Sequence, residues 1–258
     1  MTSFDALAAL CLALAQSWGG QAVPPLFPQS VQPPAMAAPA ALDGGPSLLE
    51  LTDEELLERV RSDRAALGSL SIGTPGGGRV LNAVLLSPDP RWEIAPAAIS
   101  WGTAETIEAI GAAVATVHEL FPDTPPIVIG DIGHPGGGRL KRHQTHQAGR
   151  DVDFGFYHLP GTGGWYAAGT ARNLDLDRNW ALVRALIVRT DVERILLDTR
   201  IQRLLYRHAL GLGEDKEWLD RVFQFSRGAR EAIVRHVPGH RTHYHVRFFN
   251  RVAQELGR

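Results

Sequence analysis

The sequence predicts an α+β fold. Segments of helical and of strand periodicity are mixed along the chain, no internal repeat recurs, and the regular strand–helix alternation of a doubly wound sheet is missing. At 258 residues, 44% of them hydrophobic, the chain is long enough to bury a core of its own.

The elements follow in order. Ala6 to Ala15 is an apolar run ending in Ala13-Leu14-Ala15, the small-x-small form of a signal-peptidase site. The preceding MTSFD has no Lys or Arg, so 1–15 reads as a weak export signal, and a periplasmic or exported location is expected. A lipid anchor on Cys11 is disfavoured by the bulky Leu10 before it, and no stretch reaches the ~20 apolar residues of a membrane-spanning helix. Residues 16–47, rich in Pro and Ala, read as a disordered linker, leaving 48–258 as the folded domain. Thr52-Asp53-Glu54-Glu55 is a capping box that opens a helix ending near Leu67-Gly68. Ser71 to Leu86 reads as a hairpin around Thr74-Pro75-Gly76-Gly77-Gly78. That turn lacks the Gly-Lys-Ser/Thr ending of a phosphate loop. Thr103 to Leu120 is an amphipathic helix, with His118 expected at the surface where the helix dipole favours it. Pro126 to Asp131 is a buried-type strand. Leu176 to Thr190 and Ile201 to Leu210 read as helices, Val192 to Leu197 and His243 to Phe249 as strands.

Composition narrows the chemistry. With 26 basic against 28 acidic residues, no net field draws nucleic acid or an anionic membrane. A single Cys excludes thiolate metal sites, so any metal must rest on His and carboxylates. Eight of the ten His fall between His134 and His158 or between His236 and His245. Even scattering would place roughly 1.4 there, so the clustering needs a chemical cause.

In a strand, His243 and His245 point the same way with Tyr244 opposite, and His240 could fold back across the Val237-Pro238-Gly239 turn. Asp151 and Asp153 likewise share one strand face while Val152 and Phe154 turn to the core. His143 and His146 stand just before them, separated by the flexible Gln147-Ala148-Gly149 turn. One His and one Asp from this segment plus one His from the last strand would make three ligands, leaving a zinc with an open fourth position. Such an ion activates water for amide hydrolysis. Residue chemistry alone leaves Asp151 against Asp153, and His143 against His146, undecided.

The string GDIGHPGGGRLKRHQTHQAGRDVDF, with GHRTHYHVRF near the C-terminus, resembles the penicillin-insensitive murein endopeptidase family. That family groups with the zinc peptidases around lysostaphin, D-alanyl-D-alanine peptidases and the hedgehog signalling domain. The resemblance implies a hedgehog-like, mostly antiparallel central sheet flanked by helices. It also implies a zinc site in which His is followed seven residues later by Asp, with a distal His-x-His. This makes His146, Asp153 and His245 the metal ligands, and His243 the general base or transition-state stabiliser. His240 would act on the transition state, His143 would line the site or touch a second metal, and Asp151 would orient rather than ligate. The substrate implied is the cross-linked peptide of peptidoglycan, cut at a D-alanyl to diaminopimelate bond without a serine acyl-enzyme. Rival readings are a D-Ala-D-Ala carboxypeptidase using Arg139 or Arg150 for the terminal carboxylate, and a non-catalytic zinc-containing binding module. His134 and His158 read as surface residues able to line a groove, and His208 and His236 as surface residues.

Overall fold

The computed structural model describes residues 50–95, 99–224 and 231–250. The expected signal segment and the whole of the expected linker lie outside the described residues. The elements are α1 (Asp53–Ser62), β1 (Leu70–Thr74), β2 (Gly77–Leu81), β3 (Val84–Leu85), β4 (Trp92–Ile94), β5 (Trp101–Gly102), α2 (Ala104–Leu120), β6 (Ile127–Ile129), β7 (Asp151–Gly155), α3 (Leu176–Arg189), β8 (Val192–Leu196), α4 (Thr199–Gly211), α5 (Lys216–Val222), β9 (Val234–Arg235) and β10 (His243–Phe248). The α+β class is as expected. The main sheet has six strands in the order β4-β6-β7-β10-β8-β9. Its inner pairs, β6 with β7, β7 with β10 and β10 with β8, are antiparallel, whereas both outer pairs are parallel.

One face of this sheet is the core. Val152, Phe154, Tyr244, Val246 and Phe248 alternate along the paired strands β7 and β10, and all are buried. Helices α2 and α3 pack against each other and contribute Ile110, Val114, Val117, Trp180, Leu182 and Leu186 to the same cluster. Each fully buried large aliphatic or aromatic side chain contributes about 1.5–3 kcal/mol, so this two-layer contact sets the strand register. Asn179 of α3 ties the layers together. Its side-chain amide donates to the Tyr157 carbonyl at 2.6 Å, and its Oδ1 accepts from the Tyr244 hydroxyl at 2.8 Å.

Two expectations need correction. Helix α1 opens on the expected capping box, with the Glu55 backbone N–H donating to Thr52 Oγ1, but ends at Ser62; Ala65–Leu67 forms a separate 3-10 turn. No residue of α1 is buried, so no packing rewards its extension. His118 is half-buried, and burial lowers its pKa, so it does not supply the charged imidazole that the dipole argument requires. No helix among the described residues is long and apolar enough to cross a membrane.

Candidate metal centre

Strands β7 and β10 pair with His245 opposite Asp153, His243 opposite Gly155 and Arg247 opposite Asp151. With a side-chain period of two, Asp151, Asp153, His243, His245 and Arg247 all stand on the face away from the core. The pair of carboxylates is not a solvated edge: Asp151 is 0% and Asp153 1% exposed, in the middle of the sheet.

The third component is the irregular segment between β6 and β7. It is held by the hairpin β1–β2, whose Gly-rich turn acts as a docking surface for backbone. Gly138 N–H donates to the Gly78 carbonyl at 3.0 Å, Val80 N–H to Gly136 at 3.2 Å and Gln147 N–H to Pro75 at 3.1 Å. A Cβ on Gly78 would lie 2.6 Å from the Ile72 carbonyl oxygen and 2.7 Å from Ala148 Cβ, so this approach requires glycine. The segment delivers His146 in the left-handed region, at φ 65°, a backbone that costs a residue with a Cβ roughly 1–3 kcal/mol. Its ring is fixed by Nδ1–H donating to the Ile132 carbonyl at 3.1 Å, so that the neutral ring presents the Nε2 lone pair to the strands.

Three atoms converge there. His146 Nε2 lies 3.2 Å from His245 Nδ1, and each lies 3.4 Å from Asp153 Oδ1. A tetrahedral ion with bonds of 2.0–2.1 Å has ligand-to-ligand edges of about 3.3–3.4 Å, so the spacing matches. Both Asp153 carboxylate oxygens are buried and accept no hydrogen bond among the described residues. An orphaned carboxylate at such a point fits a cation. His143, His146 and Asp153 also form a group able to hold a metal ion, with ligand atoms within 4.8 Å of one another. His143, however, already engages Asp131 Oδ2 at 2.6 Å through Nε2, and the tighter set is the one that includes His245.

Asp151 sits behind this group. Its Oδ1 accepts from His245 Nε2 at 2.8 Å and from Arg247 Nε at 2.8 Å, and its Oδ2 accepts from the His146 backbone N–H at 3.3 Å. The bond from Nε2 fixes the His245 tautomer with Nδ1 unprotonated. Burial pushes the Asp151 carboxyl up, but the hydrogen bond from His245 and the attraction of the His245 and His146 rings and the Arg247 guanidinium outweigh it and hold it well below the usual range. Burial likewise opposes ionisation of Asp153, yet His146 and the neighbouring imidazoles bring it to about 2.

The remaining imidazoles line a cavity of about 320 Å³ with Asp131, Arg142 and Tyr166. His243 Nε2 is 3.8 Å from Asp153 Oδ1, and burial lowers its pKa to about 4, with His240 and His245 adding to the effect. It is therefore a neutral imidazole at neutral pH, able to accept a proton. His240 stands 5.1 Å from His243 and 5.7 Å from His245, ring centre to ring centre, and its Nδ1 is buried without a hydrogen-bond partner among the described residues. His158 lies outside this cavity, in a separate cleft of about 240 Å³ bordered by Trp165. His134 is half-buried and its carbonyl caps the turn at Gly137. His208 pairs with Asp177 at 2.9 Å, and His236 accepts from the Thr199 N–H. Arg150, a candidate for binding a substrate carboxylate, is 4% exposed and faces Glu193 at 3.9 Å, so it is not available to a ligand.

Asp131 and Tyr166 were not singled out in the sequence. Asp131 could have been noticed as the carboxylate where the buried strand β6 runs into the first His window. Tyr166 follows a Gly-rich turn with no periodic signal of its own.

The fold and this geometry define an α+β protein with a candidate metal centre on its two central strands. Residues 71–163 match the family model described as penicillin-insensitive murein endopeptidase, a peptidase family whose substrate is murein. The resemblance read from the sequence is therefore shown, over a segment that includes His143, His146, Asp151 and Asp153. No curated protein matches the chain.

Proposed function

We propose that the chain is a zinc-dependent metalloendopeptidase that hydrolyses peptide cross-links of peptidoglycan, of the D-alanyl to diaminopimelate type, in the periplasm or another exported location. The observation that carries this is the triangle of His146 Nε2, His245 Nδ1 and Asp153 Oδ1, with edges of 3.2–3.4 Å around an otherwise unpartnered carboxylate. These three side chains would hold the ion. Bound there, zinc supplies Lewis-acid polarisation of the scissile carbonyl and lowers the pKa of water from ~15.7 toward 7.

The rest is the work of the chain's own groups. His243, neutral at neutral pH, takes a proton from the attacking water and returns it to the leaving amine. His240, with its unpartnered Nδ1 beside His243, donates to the developing oxyanion. Asp151 keeps His245 in the tautomer that presents Nδ1. Because no serine acyl-enzyme forms, β-lactams have nothing to acylate. The burial of Arg150 removes one of the two cations that a carboxypeptidase reading invoked.

Metal analysis of the purified chain and of His146→Ala, Asp153→Ala and His245→Ala tests the ligand set. One zinc per wild-type chain, with each variant losing both the metal and muropeptide hydrolysis, is expected. His146→Ala retaining zinc and hydrolysis at wild-type levels would overturn it.

A further inference from the structure

Four non-glycine residues have a left-handed backbone among the described residues: Asn82, Arg142, His146 and Tyr166. Asn adopts that region readily, but Arg and Tyr do not. Three of the four belong to one place. His146 contributes to the metal-type triangle, and Arg142 (φ 76°) and Tyr166 (φ 63°) both line the 320 Å³ cavity in front of it. Backbone strain of this kind persists only where the surroundings over-determine it, and it concentrates where side chains must be aimed.

The surroundings of Tyr166 do so. Trp165 fills the space left by two glycines: a Cβ on Gly130 would fall 2.5 Å from Trp165 Cη2, and one on Gly155 3.4 Å from its Cε3. With Trp165 seated, the next residue turns its ring onto His243, 5.4 Å between centres in an edge-on arrangement. Arg142 stands in a turn closed by the His143 N–H donating to the Leu140 carbonyl at 3.2 Å, and the His143 ring is bonded to Asp131 at 2.6 Å. Arg142 and His143 also border a second cavity, of about 510 Å³, to which Arg139 and Lys141 contribute. None of these three cations has an ion pair among the described residues.

The donor balance decides what such a rim would take. The guanidinium and the phenol hydroxyl can both donate, whereas Asp131 is bonded to His143 and Asp153 faces the triangle, where the proposed ion would take it. The rim therefore lacks an acceptor carrying negative charge, and a planar carboxylate fits the guanidinium fork. We propose that Arg142 and Tyr166 form a carboxylate-recognition site, which binds a free carboxylate of an acidic peptide substrate and so positions the scissile bond over the triangle. This rests on reading the cavity as a peptide-hydrolase site, and it makes Arg142 and Tyr166 specificity residues for that substrate.

The test is equilibrium binding, by calorimetry, of the full chain to a cross-linked muropeptide whose scissile amide is replaced by a non-hydrolysable isostere. The probe is made in two forms, with its peptide carboxylates free and amidated. Wild type binds the free form about tenfold tighter. Arg142→Gln abolishes the preference, Arg142→Lys keeps part of it, and Tyr166→Phe weakens the free form severalfold. Arg142 is exposed, so an unchanged circular dichroism spectrum for Arg142→Gln establishes that the fold is intact. Equal wild-type affinity for the two forms, no binding of either, or an undiminished preference in Arg142→Gln overturns the proposal. Failure of the peptidase reading is a separate result, an absence of chelator-sensitive hydrolysis of the natural cross-link, and it leaves the binding comparison readable.

Discussion

Replacing Asp151 by Asn keeps the shape of the side chain and removes its charge and one acceptor oxygen. Three donors converge on that carboxylate: His245 Nε2 and Arg247 Nε at 2.8 Å, and the His146 N–H at 3.3 Å. The amide oxygen can still serve part of this set, but the new NH2 group faces at least one of the donors. Arg247, whose side chain is 13% exposed, loses its counter-charge. Breaking a buried ion pair costs about 3–5 kcal/mol, and the partial exposure of Arg247 reduces this to roughly 2–3 kcal/mol. For a chain of this size that corresponds to a fall in melting temperature of about 4–12 °C. The second effect is on the metal: without the carboxylate, His245 is free to rotate or to protonate Nδ1, and zinc affinity should fall about 10–100-fold. Thermal unfolding in excess chelator reads the first effect, and competition against a chromophoric chelator at neutral pH reads the second. A variant with wild-type zinc affinity and an unchanged metal-free melting temperature would refute the idea that Asp151 orients His245.

Two further outcomes follow from the packing around the site. Gly137→Ala puts a Cβ on a residue at φ 66° and drives it into the Gln147 carbonyl oxygen and to 2.8 Å from Arg79 Cα; a loss of about 2–4 kcal/mol in chemical denaturation, with weaker zinc binding, is expected, and a neutral result would contradict the docking role of the hairpin. Tyr244→Phe removes the 2.8 Å bond to Asn179 on the core side only, so it should cost about 1 kcal/mol of stability while zinc affinity stays at the wild-type value; a loss of metal would show that α3 tunes the site through β10.

The strand faces were legible because their signal is local. Asp151-Val152-Asp153-Phe154 and His243-Tyr244-His245 alternate polar and apolar residues, and a period of two survives any tertiary arrangement. Helices α2 and α3 were legible for the same reason, through apolar residues at three and four. What could not be read is the pairing that sets His245 against Asp153. It joins residues far apart in sequence, and its register comes from the shared apolar face under α2 and α3. The conformation of the His146 segment was equally hidden. Its left-handed residues are set by contacts with Pro75, Gly78 and Val80, and a turn that looks only like a hairpin connection gives no sign of what docks on it. Asp131 and Tyr166 are single residues that enter the cavity through tertiary packing, and His118 was misjudged because helical position alone does not report burial against Arg91.

The most direct measurement of the central claim is a digest of purified sacculi by the full chain, with and without a zinc chelator, followed by identification of the released fragments. Chelator-sensitive conversion of cross-linked dimers to monomers with a new amine on the diaminopimelate side, restored by added zinc and lost in His146→Ala, is the predicted result. Cleavage that survives the chelator or the His146→Ala substitution, or an absence of cleaved cross-links, would contradict it.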